Sequence, residues 1–221
     1  MPESPDATLT LYYAPRTRAF TALWLIEEMN LAYRIECFDI MAGRQKQPDF
    51  LALNPMGKVP TIVDRGTPIS EMAAIALYLA DRYPDSAMAP SIDDPRRAAY
   101  LRWVVFAGGV MEPAYAEKFA KAEPRPGSHA WGSFDQMLDV VSAAIQPGPF
   151  LLGETFTAAD VLVGSTLRFG LLFGILPKQG PQAAQGNLIA DYVARVTARD
   201  GFRRATAIDA HWGTVFPPAP R

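Results

Sequence analysis

The chain has 221 residues, 49% of them apolar and 20% charged, with a formal net charge of −2. That length allows one large or two small domains with a sizeable core, and the near-neutral balance gives no electrostatic reason to expect nucleic acid or an anionic membrane as a partner. No apolar run approaches the roughly 18 residues of a membrane span. The single cysteine cannot form an internal disulfide, which points to a reducing compartment. The acidic, proline-bearing start Met1-Pro2-Glu3-Ser4-Pro5-Asp6 lacks the basic and apolar stretches of a signal peptide, so the expected location is cytoplasmic.

Leu9 to Tyr13 reads as a strand, and Phe20 to Met29 has helical spacing with Phe20, Leu23, Trp24 and Ile26 on an inward stripe. Tyr33 to Phe38 alternates as a second strand, and Asp49 to Leu53 forms a short helical turn. Thr61 to Asp64 and Thr67 to Ile69 flank Arg65-Gly66 as a hairpin, and Glu71 to Tyr83 follows as a helix. Strand, helix, strand, turn, hairpin and helix is the order of a thioredoxin-like α/β domain over residues 1–84. The linker spans 85–94, and the stretch from Pro84 to Asp94 holds two prolines and little periodicity.

Beyond Pro95 strand signals vanish, and residues 95–221 read as an all-helical domain. Arg96 to Phe119 is one long helical pattern, with a bend expected at Gly108-Gly109 or Pro113. Phe134 to Ile145, Thr157 to Phe173 and Leu188 to Thr197 follow, with loops at 121–132 and 177–186. Thr157 and Asp160 form a capping box flanked by Phe156 and Val161 at the staple positions, and the helix they start is almost wholly apolar.

The most informative stretch is Asn54-Pro55-Met56-Gly57-Lys58-Val59-Pro60-Thr61, with Glu71 eleven residues after Pro60. A proline cannot donate to a sheet and belongs at a strand's first residue. A cis Val59–Pro60 bond turns the Val59 backbone outward, where it can pair with an extended peptide ligand. A nearby carboxylate can then receive the ligand's ammonium group.

These residues carry a resemblance to the glutathione transferase superfamily. It rests on Leu9-Thr10-Leu11-Tyr12-Tyr13-Ala14-Pro15, Leu23-Trp24-Leu25-Ile26-Glu27-Glu28, Asn54 to Pro60, Glu71 to Leu79, and Phe156-Thr157-Ala158-Ala159-Asp160. The pieces stand in family order across nearly the whole chain. The resemblance implies a thioredoxin-like domain that binds glutathione, an all-α bundle, and a homodimer. It also implies that the loop after the first strand holds the glutathione thiol as a thiolate.

A free thiol has a pKa of about 8.5, and lowering it by two units takes roughly 2.7 kcal/mol of preferential thiolate stabilisation. Thr17 is the leading donor, because several family branches place a serine or threonine two residues after the loop proline. Arg18 and Tyr12 are the alternatives, Arg18 by charge and Tyr12 at a position where other branches keep a catalytic tyrosine. No cysteine stands in this loop, which disfavours a mixed-disulfide mechanism; Cys37 reads as a small buried hydrophobe. For the tripeptide, the resemblance assigns the Val59 backbone with cis Pro60 to its cysteine, Glu71 to its γ-glutamyl ammonium, and Lys58 to its glycine end. Met72 departs from the serine or threonine usual for the γ-glutamyl carboxylate and offers only its backbone amide, at a helix N-terminus that suits an anion.

Trp103, Phe106, Met111 and Tyr115 are the candidate pocket for a hydrophobic second substrate between the domains, with Trp212 closing it. His129 and His211 have no carboxylate or cysteine at metal-ligand spacing, so no metal is expected. The reading is of a glutathione transferase that conjugates glutathione to small hydrophobic electrophiles, in the manner of detoxification. The alternatives are glutathione-dependent peroxide or disulfide reduction, and a non-catalytic ligand-binding or interaction protein on the same fold.

Overall fold

The computed structural model describes residues 7–123, 125, 127–176 and 183–218. The expected tail before residue 7 and most of the loop after Pro177 lie outside them. The chain forms two compact units, one running to Ser86 and taking in the chain again from Asp200, the other Ala87–Arg199.

The first unit is built on a four-stranded mixed sheet in the order β2-β1-β3-β4. β1 (Leu9–Tyr13) runs parallel to β2 (Tyr33–Cys37) and antiparallel to β3 (Thr61–Asp64), which forms a hairpin with β4 (Thr67–Ser70). Around the sheet stand α1 (Ala19–Glu28), α2 (Pro48–Leu53) and α3 (Met72–Arg82). Side chains alternate across β1. Tyr12 meets Phe50 of α2 edge-on at 5.5 Å, while Leu9, Leu11 and Tyr13 are fully buried on the other face. The hairpin turn uses Arg65 and Gly66, both at positive φ as a tight primed turn requires.

The buried Asp64 is satisfied by hydroxyls: Tyr78 donates at 2.9 Å and Tyr83 at 3.0 Å, tying α3 and the chain beyond it to β3. Three neutral donors supply most of what water would have given it, the third being Thr8 at a longer 3.4 Å.

The last helix, α9 (Asp200–Val215), was not anticipated as an element, and the segment was read as part of the helical domain. It packs instead on α1, antiparallel to it. Phe202 stands edge-on to Trp24 at 5.0 Å and to Phe20 at 5.6 Å. Arg204 donates to the buried Glu27 carboxylate at 2.7 Å, to the Glu27 carbonyl, and to Asn30 at 2.8 Å, while Tyr33 donates to the other Glu27 oxygen at 2.6 Å. Gly201 permits the close approach, since a β-carbon there would stand 2.8 Å from Glu28 Cα. The helix is hard to see in the sequence because its docking residues, Phe202, Arg204 and Gly201, gain their roles only opposite Trp24, Glu27 and Glu28.

The second unit is helical. The long pattern from Arg96 resolves into α4 (Arg97–Phe106), a π-helical segment Ala107–Met111 and α5 (Glu112–Phe119). The irregularity falls at Gly108-Gly109, and Pro113, which lacks an amide to donate, sits in the first turn of α5. α6 (Phe134–Ile145) has the expected bounds, and α8 (Ala183–Thr197) starts five residues earlier than Leu188, because Ala183, Ala184 and Gln185 are good helix formers.

α7 (Ala158–Leu172) is the buried centre, packed against α4 and α8. Its capping box forms. The Asp160 carboxylate accepts from the Thr157 amide at 3.0 Å, the Leu151 amide at 2.8 Å and the Tyr192 hydroxyl at 2.8 Å. It thereby joins the preceding loop, the cap and α8. Burial pushes its pKa up against the pull of these donors. Replacing Asp160 with Ala strands two buried donors and one part-buried one and is expected to cost about 3 kcal/mol in urea unfolding. Tyr192→Phe, which leaves the cap intact, is expected to cost about 1 kcal/mol.

Candidate functional site

Strand register gathers the chain's chemistry at one end of the sheet. Tyr12 pairs with Thr61, and Thr61 pairs with Ser70. The end of β1, the start of β3 and the end of β4 therefore lie side by side, and with them the three segments that follow or precede: Ala14–Arg18, Val59-Pro60 and Glu71-Met72.

The Val59–Pro60 bond is cis, as the sequence implied. Asn54, almost fully buried, organises the loop before it. Its amide donates to the Lys58 carbonyl at 2.9 Å and to the Thr61 hydroxyl at 3.1 Å, and its oxygen accepts from the Met56 amide at 3.1 Å. Thr61 adds a bond to the Lys58 carbonyl at 3.0 Å. Gly57, at φ 60°, passes where a β-carbon would stand 2.7 Å from the Gln45 carbonyl oxygen, and Lys46 caps the Met56 carbonyl at 2.9 Å. Among the described residues no hydrogen bond engages the Val59 backbone. Lys58 is exposed.

Glu71 is the N-cap of α3 and has φ 68° and ψ 117°. A residue with a β-carbon is held there only by its surroundings, at a cost of about 1–3 kcal/mol. Its side chain makes no capping bond and is exposed. The first intrahelical bond of α3 runs from the Ile75 amide to the Glu71 carbonyl at 2.9 Å, so the amides of Met72, Ala73 and Ala74 stand before the ladder begins. The first turns of α1 and α3, like those of α4 and α8, carry no acidic residue, whereas those of α2, α5, α6, α7 and α9 do. Their positive ends thus keep their pull on an anion.

The loop candidates fare differently. Thr17 is half-buried at the mouth of α1. Its hydroxyl donates to the Ala14 carbonyl at 2.7 Å and accepts from the Ala19 amide at 3.1 Å. Arg18 is exposed at the N-cap of α1. Tyr12 packs on Phe50, and burial raises its pKa, with Glu36 adding to the effect. That environment keeps it a neutral phenol.

The neighbouring Tyr13 was not singled out in the sequence. Its hydroxyl reaches Asp209 of α9 at 2.5 Å, and the same carboxylate oxygen accepts from the Arg16 amide at 3.0 Å. No sequence signal marked this pairing, because Asp209 lies 193 residues from Arg16. Trp212, expected to close an electrophile pocket, sits on α9 in the first unit and stacks on Phe216 at 6.2 Å.

In the second unit Trp103, Met111 and Tyr115 are buried. The Tyr115 ring lies against α7 at Gly170, where a β-carbon would come within 2.5 Å of its hydroxyl. Phe106 is partly exposed; it meets Trp103 edge-on at 5.1 Å and lines an open cleft of about 360 Å³ with Val110, His129, Trp131 and Met137. His129 pairs with the buried Glu117 at 2.8 Å and stacks on Trp131. Among the described residues no group of three or more His, Cys, Asp or Glu side chains is placed to hold a metal, and no helix is long and apolar enough to cross a membrane.

The glutathione S-transferase N-terminal domain model matches residues 7–81, and the C-terminal domain model matches residues 112–169. The chain belongs to the glutathione S-transferase superfamily. It is 30% identical over 166 residues to the disulfide-bond oxidoreductase YfcG of Escherichia coli strain K12, across 69% of this chain and 76% of that protein. To glutathione S-transferase 3 of Zea mays it is 28% identical over 236 residues, across 97% of this chain and 98% of that protein.

Among solved structures it resembles a Sulfitobacter glutathione transferase homologue with bound glutathione, at 27% identity and TM-score 0.70, over 91% of this chain and 98% of that one. The glutathione transferase URE2P6 of Phanerochaete chrysosporium shares the fold at 18% identity and TM-score 0.77, over 94% of this chain and 98% of that one. A four-stranded mixed sheet with helices, followed by a helical domain, is the fold of this superfamily.

Cys37 ends β2 opposite Tyr13, next to the start of the loop and not away from it, and burial raises its thiol pKa to about 12. At pH 8 its thiolate fraction is then on the order of 10³ below that of a free cysteine. A thiol-specific disulfide reagent should therefore modify the native protein that much more slowly than the urea-unfolded chain.

Proposed function

We propose that the first unit binds glutathione at the gathered end of its sheet and holds its sulfur as a thiolate for conjugation to small hydrophobic electrophiles. The observation that carries this reading is Glu71. It is an exposed carboxylate kept at a costly backbone angle beside the start of β3, and a purely structural N-cap would be served better by Ser, Thr, Asp, Asn or Gly. Glutathione extends along Val59, pairing with its backbone, and places its ammonium at Glu71. The amides at the start of α3, beginning with Met72, receive the γ-glutamyl carboxylate, and Lys58 meets the glycine carboxylate. Solved relatives crystallised with glutathione support the ligand.

The sulfur then lies at the mouth of α1, near Thr17. A thiolate accepts a charge-assisted hydrogen bond stronger than a neutral carbonyl's, so the Thr17 hydroxyl turns from Ala14 to the sulfur when glutathione is bound. Together with the α1 terminus it supplies the stabilisation that lowers the thiol pKa. The chain forms no covalent intermediate and contributes proximity and thiolate stabilisation. A homodimer in the cytoplasm completes the reading.

Glutathione-dependent disulfide or peroxide reduction is the second reading. The YfcG relative, a disulfide-bond oxidoreductase by name, favours it, and the same bound thiolate serves it without a protein cysteine. Conjugation of an aryl halide against reduction of a hydroperoxide or a mixed disulfide separates the two.

Glutathione bound to the wild type should titrate well below about 8.5 in ultraviolet thiolate absorbance; an unshifted thiol overturns the transferase reading. Thr17→Ala should return the thiol toward its free value and lower turnover by about 10²-fold, the scale of one oxyanion-type donor, while Thr17→Ser keeps both. Glu71→Gly should relieve the backbone and leave urea stability unchanged or higher, yet weaken glutathione binding at least about tenfold, the scale of one charged hydrogen bond. A calorimetric titration alongside unfolding checks both halves.

A further inference from the structure

We propose that Asp209 of α9 is the positioning residue of the thiol-activating loop, resting on the thiolate reading above. The loop from Ala14 to Arg18 has few bonds of its own, the two of the Thr17 hydroxyl among them. Arg16 stands at φ 60°, in the left-handed region that a residue with a β-carbon keeps only when neighbours dictate it. Those neighbours are on α9.

One oxygen of Asp209 accepts from the Tyr13 hydroxyl at 2.5 Å and from the Arg16 amide at 3.0 Å, and so grips the chain on both sides of Pro15. The Arg16 guanidinium answers by donating to the Gly213 carbonyl at 3.1 Å and the Phe216 carbonyl at 2.5 Å, at the end of α9 where carbonyls lack intrahelical partners and cations are favoured. Tyr13 is fully buried, and burial, reinforced by the bond to Asp209, raises its pKa far above the usual tyrosine value. It remains a neutral phenol that donates to the carboxylate.

The grip is rigid because α9 is itself fixed to α1. Phe202 packs on Trp24 and Phe20, Arg204 bonds to the buried Glu27, and Gly201 allows contact with the Glu28 backbone. Strand β1, the loop, α1 and α9 form a closed circuit. Thr17 follows Arg16 directly, so the direction of its hydroxyl is set by where Asp209 holds the Arg16 amide. Asp209 touches neither the thiol nor the electrophile. It acts through Arg16 and Tyr13, and its removal is felt in thiol activation more than in tripeptide capture, which belongs to Val59, Glu71 and the start of α3.

Three variants in the full chain test this: Asp209→Ala, Asp209→Asn and Tyr13→Phe. Asp209→Ala should shift the pKa of bound glutathione back toward about 8.5 and lower kcat with an aryl halide by about tenfold to 10²-fold, the scale of a misplaced catalytic group. KM for glutathione should stay within about threefold. Asp209→Asn retains an acceptor oxygen and should keep the thiol pKa near the wild-type value. Hydrogen exchange at the Arg16 amide should quicken in Asp209→Ala and stay slow in Asp209→Asn, with or without glutathione.

A folded Asp209→Ala protein with wild-type thiol pKa, kcat and Arg16 exchange overturns the proposal. If Asp209→Ala does not fold, Tyr13→Phe decides, since it removes one of the two bonds to the carboxylate. Unchanged thiol pKa and unchanged Arg16 exchange there overturn the proposal as well. An unshifted thiol in the wild type overturns the thiolate reading itself, a result separable from the failure of Asp209 alone.

Discussion

The register of the sheet is the constraint on which the rest of the first unit depends. A slip of one residue between β1 and β3 would turn Tyr12, Tyr13 and their partners to the wrong faces. Register is held on one side by the fully buried Leu11 and Ile62, which pair across β1 and β3, and on the other by Tyr12 against Phe50. With it fixed, the loop after β1, the Val59-Pro60 segment before β3 and the Glu71 cap after β4 become neighbours. None of these segments forms a site alone, and no single helix or strand carries more than a part of it.

Buried charges do the joining between elements. Glu27 with Arg204 and Tyr33, Asp64 with Tyr78 and Tyr83, and Asp160 with two amides and Tyr192 each connect segments distant in sequence. Only the first contains an ion pair; the other two surround a carboxylate with neutral donors. Apolar replacements could match their net stability, because burying a charge costs several kcal/mol before its partners repay it. Their value here is directional, since each carboxylate accepts from donors fixed by backbone or ring and so sets where a helix or turn lies.

Local signals explain what the sequence disclosed. Proline and glycine punctuation, the β-strand residues of Leu9 to Tyr13 and the Thr157–Asp160 box are short-range patterns, and their elements stand within a residue or two of expectation. The turn at Arg65-Gly66 and the irregularity at Gly108-Gly109 were equally local. Helix α9 was hidden because its docking rests on Arg204, Asp209, Phe202 and Gly201, whose roles exist only opposite Glu27, Tyr13, Trp24 and Glu28. The same holds at the site. Val59-Pro60 and Glu71 were legible as candidates by type and spacing, while the bond between Asp209 and Tyr13 depended on tertiary packing. Of the apolar stripe in the second unit, Trp103, Met111 and Tyr115 are buried and Phe106 is partly exposed, the inward direction that helical periodicity reports.

The electrostatics of the loop also separate two arginines that look alike in sequence. Arg16 and Arg18 flank Thr17, and either would be a plausible partner for a thiolate by charge alone. Arg16 is committed to the carbonyls at the end of α9, where its charge complements the negative end of that helix. Arg18 stays at the exposed start of α1, where solvent weakens its field on a sulfur. Fixed peptide dipoles at the start of α1, which has no acid in its first turn, add to the field at the loop, where the Arg16 amide and the Tyr13 hydroxyl satisfy the Asp209 carboxylate. In the proposed conjugation such dipoles would need no reorganisation as charge moves from sulfur to electrophile. This favours a site whose activity depends on the exact setting of the loop, more than on the count of its cations.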